Sequence, residues 1–270
     1  MDKLYIKDTI FSHAYSSSWY NKPTYFEWSN TDEGDYIILT DDMVFSVDNY
    51  KNKKVYAWLI ESPVIKPISY DFVINNYSKF DKIFTFDNRL LSITEKSIFI
   101  PIGGCWINDY DRIIHEKNNN ISIISSGKRN TLGQKLRHNV IAAFCEDYSI
   151  DIFGNGYKSI ENKIEGLKDY KFSIVIENCQ SDFYFTEKII DCFQTGTIPI
   201  YWGCSNINNF FKLDDNFIFN NLQELENILK KIKNKEIIYE NYINHVLYNY
   251  NESKKYIIAD DLIYDFFKKI

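Results

Sequence analysis

Tyr170–Gly203 reads YKFSIVIENCQSDFYFTEKIIDCFQTGTIPIYWG, and its punctuation decides the fold class. Phe172–Ile176 is a short apolar, β-branched run, which predicts a buried strand ending at Glu177-Asn178. A polar loop follows. Thr186 is placed to cap a helix with Ile189, Ile190 and Phe193 turned inward and Gly196 just past its end. Thr197–Tyr201 is the next strand. Strand, helix and strand in this order make a parallel α/β unit.

The same grammar extends outward. Strands are predicted at Tyr36–Leu39, Val55–Ile60, Lys82–Phe86, Ile98–Ile102, Ile121–Ser125 and Ile150–Phe153. Thr131–Glu146 reads as a helix that buries a stripe of Leu132, Leu136, Val140 and Phe144. From about Leu222 the chain reads as helical throughout. Asp109–Asn120, DYDRIIHEKNNN, is polar enough to be a linker, so two domains are expected: 1–118 and 119–270, the second carrying the C-terminal helices. Two such halves leave a cleft, and in α/β sheets ligands sit beyond the carboxyl ends of the strands. The loops after Ile60, Ser125, Phe153 and Ile176 are therefore the places to look for chemistry.

Composition narrows the function. The 270 residues are 45% hydrophobic and 25% charged, as in ordinary globular domains. The formal net charge of -6 gives no global basic field, which argues against nucleic acid as a partner. An anionic ligand must be held by a local cluster of Lys and Arg. The five cysteines (Cys105, Cys145, Cys179, Cys192, Cys204) form no C-x-x-C pair and read as buried, reduced thiols. His13, His115, His138 and His245 form no spaced metal cluster. The start, MDKLYIKDTIF, resembles neither a signal peptide nor an anchor, and no apolar run is long enough to span a bilayer. A cytoplasmic protein is expected. Tyr264–Ile270, with Lys268 and Lys269, is mildly amphipathic and offers at most weak peripheral contact with the inner membrane surface.

Three places carry candidate chemistry. At Thr186-Glu187-Lys188 a helix start supplies N–H groups and partial positive charge, and Lys188 adds a cation for a phosphate. Glu187 is suited to two neighbouring ribose hydroxyls. In SSGKRNTLGQKLR, Ser125–Arg137, Arg137 offers a planar fork for a diphosphate. It follows the stripe residue Leu136, so it need not face solvent. In AWLIESP, Ala57–Pro63, a buried strand runs into Glu61, a setting that raises a carboxyl pKa and suits a general base. Each place alone also fits an ordinary surface or helix-end role. The two-glycine turn of Ile150–Tyr157 lacks the full dinucleotide pattern. The triplet Asp109-Tyr110-Asp111 is of the kind that holds a divalent metal on a donor diphosphate elsewhere, but it lies in the expected linker.

In order and content these segments resemble the α-1,3-fucosyltransferases, glycosyltransferase family 10. The likeness rests on Tyr170-Lys171-Phe172, Glu177-Asn178, Tyr184-Phe185-Thr186-Glu187-Lys188 and Pro199-Ile200-Tyr201-Trp202-Gly203. More loosely, Glu61-Ser62-Pro63 is similar to the family's acidic base motif, Arg137 to an Arg in its first donor-domain helix, and Ile150–Gly154 to its V-D-x-x-G strand. Cys179 departs from the usual Ser or Thr, and residues 1–50 match nothing in the family.

The resemblance implies two facing Rossmann-like domains, the GT-B arrangement, with a helical C-terminal segment. It keeps the strand around Pro199, which lacks an N–H and so belongs at an edge or bulge. It implies inverting transfer from GDP-fucose to a glycan hydroxyl, with no metal or other cofactor required. Glu61 is then the base, Arg137 and Lys188 hold the diphosphate, Glu187 the ribose, and Asn178 and Tyr184 the nucleotide or sugar. Domain closure would bring base and donor together and exclude water. Three alternatives stay open: a GT-B enzyme with another nucleotide sugar, a non-catalytic binder, and a metal-dependent transferase using Asp109 and Asp111.

Overall fold

The computed structural model describes residues 1–9 and 21–268. His13 and Lys269 lie outside the described residues. In chain order the strands are β1 (Asp2–Lys7), β2 (Phe26–Ser29), β3 (Tyr36–Thr40), β4 (Lys54–Trp58), β5 (Lys82–Thr85), β6 (Ser97–Phe99), β7 (Asn119–Ile124), β8 (Asp151–Phe153), β9 (Tyr170–Ser181) and β10 (Ile198–Cys204). The α-helices are α1 (Pro67–Asn75), α2 (Asn88–Ile93), α3 (Leu132–Phe144), α4 (Glu187–Thr195), α5 (Leu222–Lys233), α6 (Ile243–Glu252) and α7 (Ala259–Phe267). Two compact units result. One comprises Met1–Gly104, Asp182–Tyr184 and Tyr256–Ile270; the other comprises Cys105–Ser181 and Phe185–Lys255.

The first unit is built on a parallel sheet of order β2-β1-β3-β4-β5-β6. Val55–Trp58 is buried without alternation, as expected of an interior parallel strand covered on both faces. The strand order reverses between β1 and β3, which makes their carboxyl ends the topological switch point. The strands β1 and β2 were not anticipated. Only Leu4 and Ile6 of β1 are buried, between lysines, so its apolar signal is short.

The expected domain limits need correction at both ends. The tail does not stay with the second unit. In α7, Ile263 is fully buried in the first unit's core, the Phe266 ring lies 5.3 Å from Phe84, and Phe267 lies 4.9 Å from Tyr36. Asp260, also buried, accepts the Trp28 indole N–H at 2.7 Å. The aromatic side of the stretch read as amphipathic therefore packs on protein. Nor is Asp109–Asn120 a free linker. The Lys117 ammonium donates to the carbonyls of Leu167, Lys168 and Thr195 and to the Thr197 hydroxyl at 2.8–3.3 Å, tying this segment into the second unit. The boundary instead follows Gly103 and Gly104, both at positive φ. A polar composition hid a segment whose polar groups are satisfied internally.

The second unit has a parallel sheet of order β10-β9-β7-β8. Pro199 sits on the edge strand β10 opposite Ser173, where a missing N–H breaks no interior ladder. The helix α4 starts and stops as expected, with Gly196 at φ 75° as its left-handed cap. The helix α3 begins at the expected Thr131 cap, whose side chain and that of Gln134 form a reciprocal capping box. Its buried face follows the expected stripe only in part. Val140 is fully buried and Leu136 and Phe144 are half-buried, but Leu132 is 67% exposed, and Gly133, Gln134, Arg137 and His138 also face inward. A Cβ at Gly133 would lie 1.7 Å from the Glu177 carbonyl oxygen, so glycine lets α3 lie directly on β9 and turns Arg137 toward the sheet.

Candidate functional site

In the second unit the candidate groups surround Glu177. The β9 strand runs past the predicted end to Ser181, so Glu177 and Asn178 lie within it. Ile176 pairs with Trp202 and Ser181 with Cys204, which leaves residues 177 to 180 opposite Gly203 alone. A Cβ on Gly203 would come within 2.6 Å of the Glu177 side chain. Gly203 thus makes room for the side chain of a fully buried Glu177, and Gly133 for its backbone. Burying a charge this way requires partners, and they are present. Glu177 Oε1 accepts the Thr186 backbone N–H at 2.9 Å, and Oε2 accepts the Thr186 hydroxyl at 2.8 Å. Lys188 Nζ lies 3.2 Å from Oε2. The Thr186 hydroxyl was expected to cap α4; it ties the helix start to β9 instead.

The cations are held on both sides of this carboxylate. Arg137 donates from Nε to the Ile176 carbonyl at 2.9 Å and from Nη2 to Asn178 Oδ1 at 3.2 Å. Lys188 also donates to the Thr186 hydroxyl at 2.9 Å and stands 3.4 Å from Glu187 Oε1. Burial acts to raise the Glu187 pKa, but Lys163 and Lys188 outweigh it and hold the carboxyl well below its usual range. Four expected donor-site residues thus meet at one stretch of β9: Arg137 bonds Ile176 and Asn178, and Lys188 bonds the intervening Glu177 and also Glu187. Tyr184 belongs to the first unit, is 2% exposed, and packs its ring 5.1 Å from Phe86.

Lys163 and Asp191 were missed. Lys163 bridges Glu187 and Asp191, at 2.9 Å to each. Asp191 follows Glu187 by one helical turn on the buried side of α4, a pairing of acids that signals a hidden cation. Lys163 itself is too distant in sequence to be found that way. The loops after β7 and β8 also meet here. Gly154, at φ 112°, lies against the Ser125 carbonyl, and His138 bonds Tyr157 and the Lys128 carbonyl. Lys128 and Arg129 of the basic loop are exposed.

In the first unit, Glu61 is half-buried just past β4. Its carbonyl accepts the Tyr70 hydroxyl at 2.8 Å. Its backbone N–H and that of Ile60 donate to Asp41 Oδ1 at 3.2 and 2.9 Å. Asp41 had not been singled out. It follows β3 at the switch point, is buried, and has φ 38°. Burial, reinforced by the nearby charges of Glu61 and Asp8, pushes its carboxyl up to about 7 against the two backbone hydrogen bonds. The adjacent Asp42 is paired with Lys66 and Ser69, and Lys66 holds its carboxyl below the usual range.

Asp109 and Asp111 stand in a short 3-10 turn, with Asp109 paired to Arg112. Among the described residues no group of three or more His, Cys, Asp or Glu is arranged to hold a metal. The five cysteines are buried and form no disulfide. No helix among the described residues is long and apolar enough to cross a membrane.

Two parallel α/β units, each with its helices, are those of the GT-B class of glycosyltransferase fold. Comparison with known proteins gives the family. Residues 114–258 match "Glycosyltransferase family 10 (fucosyltransferase) C-term", and the chain belongs to that family. It is 38% identical over 100 residues to the alpha-(1,3)-fucosyltransferase FucT of Helicobacter pylori, covering 33% of this chain and 20% of that protein. It is 33% identical over 79 residues to an alpha-(1,4)-fucosyltransferase of Arabidopsis thaliana, covering 28% and 20%. These matches span about a fifth of the relatives' length. In fold it is similar to an alpha1,3-fucosyltransferase crystallised with GDP, with a TM-score of 0.61 at 18% identity over 98% of this chain and 88% of that one. The pneumococcal O-GlcNAc transferase GtfA, in complex with UDP and GlcNAc, is similar with a TM-score of 0.56 at 13% identity over 87% and 56%.

Proposed function

We propose that the chain transfers fucose from GDP-fucose to a hydroxyl of a glycan, with inversion and without a metal. The observation that carries this reading is that one short stretch of β9, Ile176–Asn178, receives Arg137, bonded to the Ile176 carbonyl and Asn178, and Lys188, bonded to Glu177 and also to Glu187, in a chain that belongs to family 10. Two cations and a helix start at one place suit a diphosphate, and the anionic Glu187 beside them suits the ribose hydroxyls. Glu61 takes the proton of the acceptor hydroxyl as its oxygen attacks the anomeric carbon opposite the leaving group. The bond from that carbon to the β-phosphate oxygen breaks, and GDP departs with its charge met by Lys188 and Arg137. Losing one such preorganised donor typically costs about 2.7–4 kcal/mol in the transition state. Asn178 and Tyr184 contact the nucleotide or the sugar.

Calorimetry with GDP, GDP-fucose, GDP-mannose and UDP-sugars, with and without chelator, tests the donor. GDP binding that ignores chelator and weakens at least tenfold in Lys188→Ala is expected. A preference for UDP, or binding that appears only with added metal, overturns the assignment. Release of GDP from GDP-fucose in the presence of a glycan, lost in Glu61→Gln, tests the transfer.

A further inference from the structure

We infer that Lys163 is a positioning residue of the donor site, setting the direction in which Glu187 presents its carboxylate to the ribose. This rests on the reading above that Glu187 takes the ribose hydroxyls. Lys163 begins the 3-10 turn Lys163–Gly166, which precedes β9. That turn is firmly seated. The Gly166 carbonyl accepts the Ser122 hydroxyl of β7 at 2.6 Å, and a Cβ on Gly166 would press on Ile124 at 3.0 Å. Asn162 and Glu165 close the turn with a reciprocal cap.

From this pedestal the ammonium reaches Glu187 Oε1 and Asp191 Oδ2, both at 2.9 Å, and lies 4.1 Å from the centre of the Trp106 ring. Asp191 is itself fixed: its Oδ1 accepts the Trp106 backbone N–H at 2.7 Å, and its side chain is 1% exposed. Asp191 would suffice as a counter-ion if Lys163 only filled the core. The second bond instead goes to the first residue of α4, whose side chain keeps 16% exposure. Lys163 and Lys188 meet the same oxygen, Oε1. Fixing that oxygen fixes the rotation of the carboxylate and with it the direction of Oε2. Burial acts to lower the Lys163 pKa, yet Asp191 and Glu187 outweigh it and keep the ammonium charged. A charged, seated lysine gives a preorganised ribose acceptor that pays no reorientation on binding.

The test compares affinity for GDP with affinity for 2′,3′-dideoxy-GDP by calorimetry. Wild type should prefer GDP about tenfold or more, the scale of a hydrogen bond to a charged group. Glu187→Gln should bring that ratio close to one. Lys163→Met should reduce it to within about twofold of one, and Lys163→Arg should restore part of it. A purely structural role lowers both affinities together and leaves the ratio unchanged; that result overturns the inference while Glu187 keeps its role. A wild type that does not discriminate overturns the ribose reading and this inference with it. If Lys163→Met does not fold, Asp191→Asn, which frees the lysine from its anchor, is read in the same way: a reduced ratio supports the inference, and a wild-type ratio overturns it.

Discussion

The two α/β units share a parallel-sheet plan but place opposite chemistry at their strand ends. The first gathers acids: Asp41 follows β3 and Glu61 follows β4, with Asp8 close enough to act on Asp41. Its nearby cation, Lys66, is engaged with Asp42. The second unit gathers cations, with Arg137, Lys163 and Lys188 interleaved with Glu177, Glu187 and Asp191. Burial, reinforced by the neighbouring acids, makes the Asp41 carboxyl more basic even with Lys66 nearby. Lys163 and Lys188 are held by carboxylates and Arg137 by the Ile176 carbonyl and the Asn178 amide oxygen, so the cations are fixed in place before an anion arrives. One sheet plan thus carries either set of charges, depending on its loops.

The largest effect should come from separating these halves. Glu61→Gln should lower turnover by about 10²–10⁴-fold, the usual contribution of a general base, while GDP affinity stays at the wild-type value. Stopped transfer assays alongside GDP calorimetry check both. A parallel fall in GDP affinity would break the division of labour between the units.

Asp41 tests the acid side through stability. Its carboxyl is raised from 3.8 to about 7 in the folded chain. Between these values the native state holds a proton that the unfolded state has lost. Its stabilising contribution is therefore fully present below about pH 4 and is lost as pH rises through about 7. The full swing is at most about 4 kcal/mol. Asp41→Asn keeps an oxygen for the N–H groups of Ile60 and Glu61 and cannot ionise. Urea midpoints across pH 4–8 should therefore fall less in the variant than in wild type. Equal slopes would show that Asp41 does not titrate in this window.

The cation side is tested by its glycines. Gly133→Ala places a methyl 1.7 Å from the Glu177 carbonyl, and backbone cannot move aside as a flexible side chain can. About 1–3 kcal/mol of stability should be lost, as for overpacking elsewhere, together with GDP affinity as the Arg137 and Glu177 contacts shift. A variant that melts like wild type would mean that α3 does not rest on β9 as closely as the geometry requires.

Legibility differed between the units for a physical reason. In the second unit, strand, turn, cap and helix follow one another within Tyr170–Gly203, so Glu187 and Lys188 could be read from local punctuation. The edge position of Pro199 also followed from its missing N–H. In the first unit, Asp41 and Glu61 meet only because β3 and β4 are neighbours, and no local pattern records that pairing. Lys163 escaped for the same reason, and α7 because an aromatic helix gives no sign of which core it will join.

The α3 helix shows how a period can be right and a face only partly right. Leu132, Leu136, Val140 and Phe144 recur at helical spacing, yet the packed face is set by Gly133 and Arg137, one position further along. A small residue and a hydrogen-bonding cation locate the contact with β9, whereas apolar periodicity weighs only side-chain transfer. The smallest predicted effect follows. If the stripe were the core, Leu132→Ala would cost about 2–5 kcal/mol. With the side chain 67% exposed, Leu132→Ala should change stability by no more than about 0.5 kcal/mol. Val140→Ala, fully buried on the same helix, should cost more than Leu132→Ala. Val140 lies on the stripe and in the core alike, so the melt of Leu132→Ala is the one that decides whether the stripe begins in the core or whether Gly133 and Arg137 take that place against the sheet.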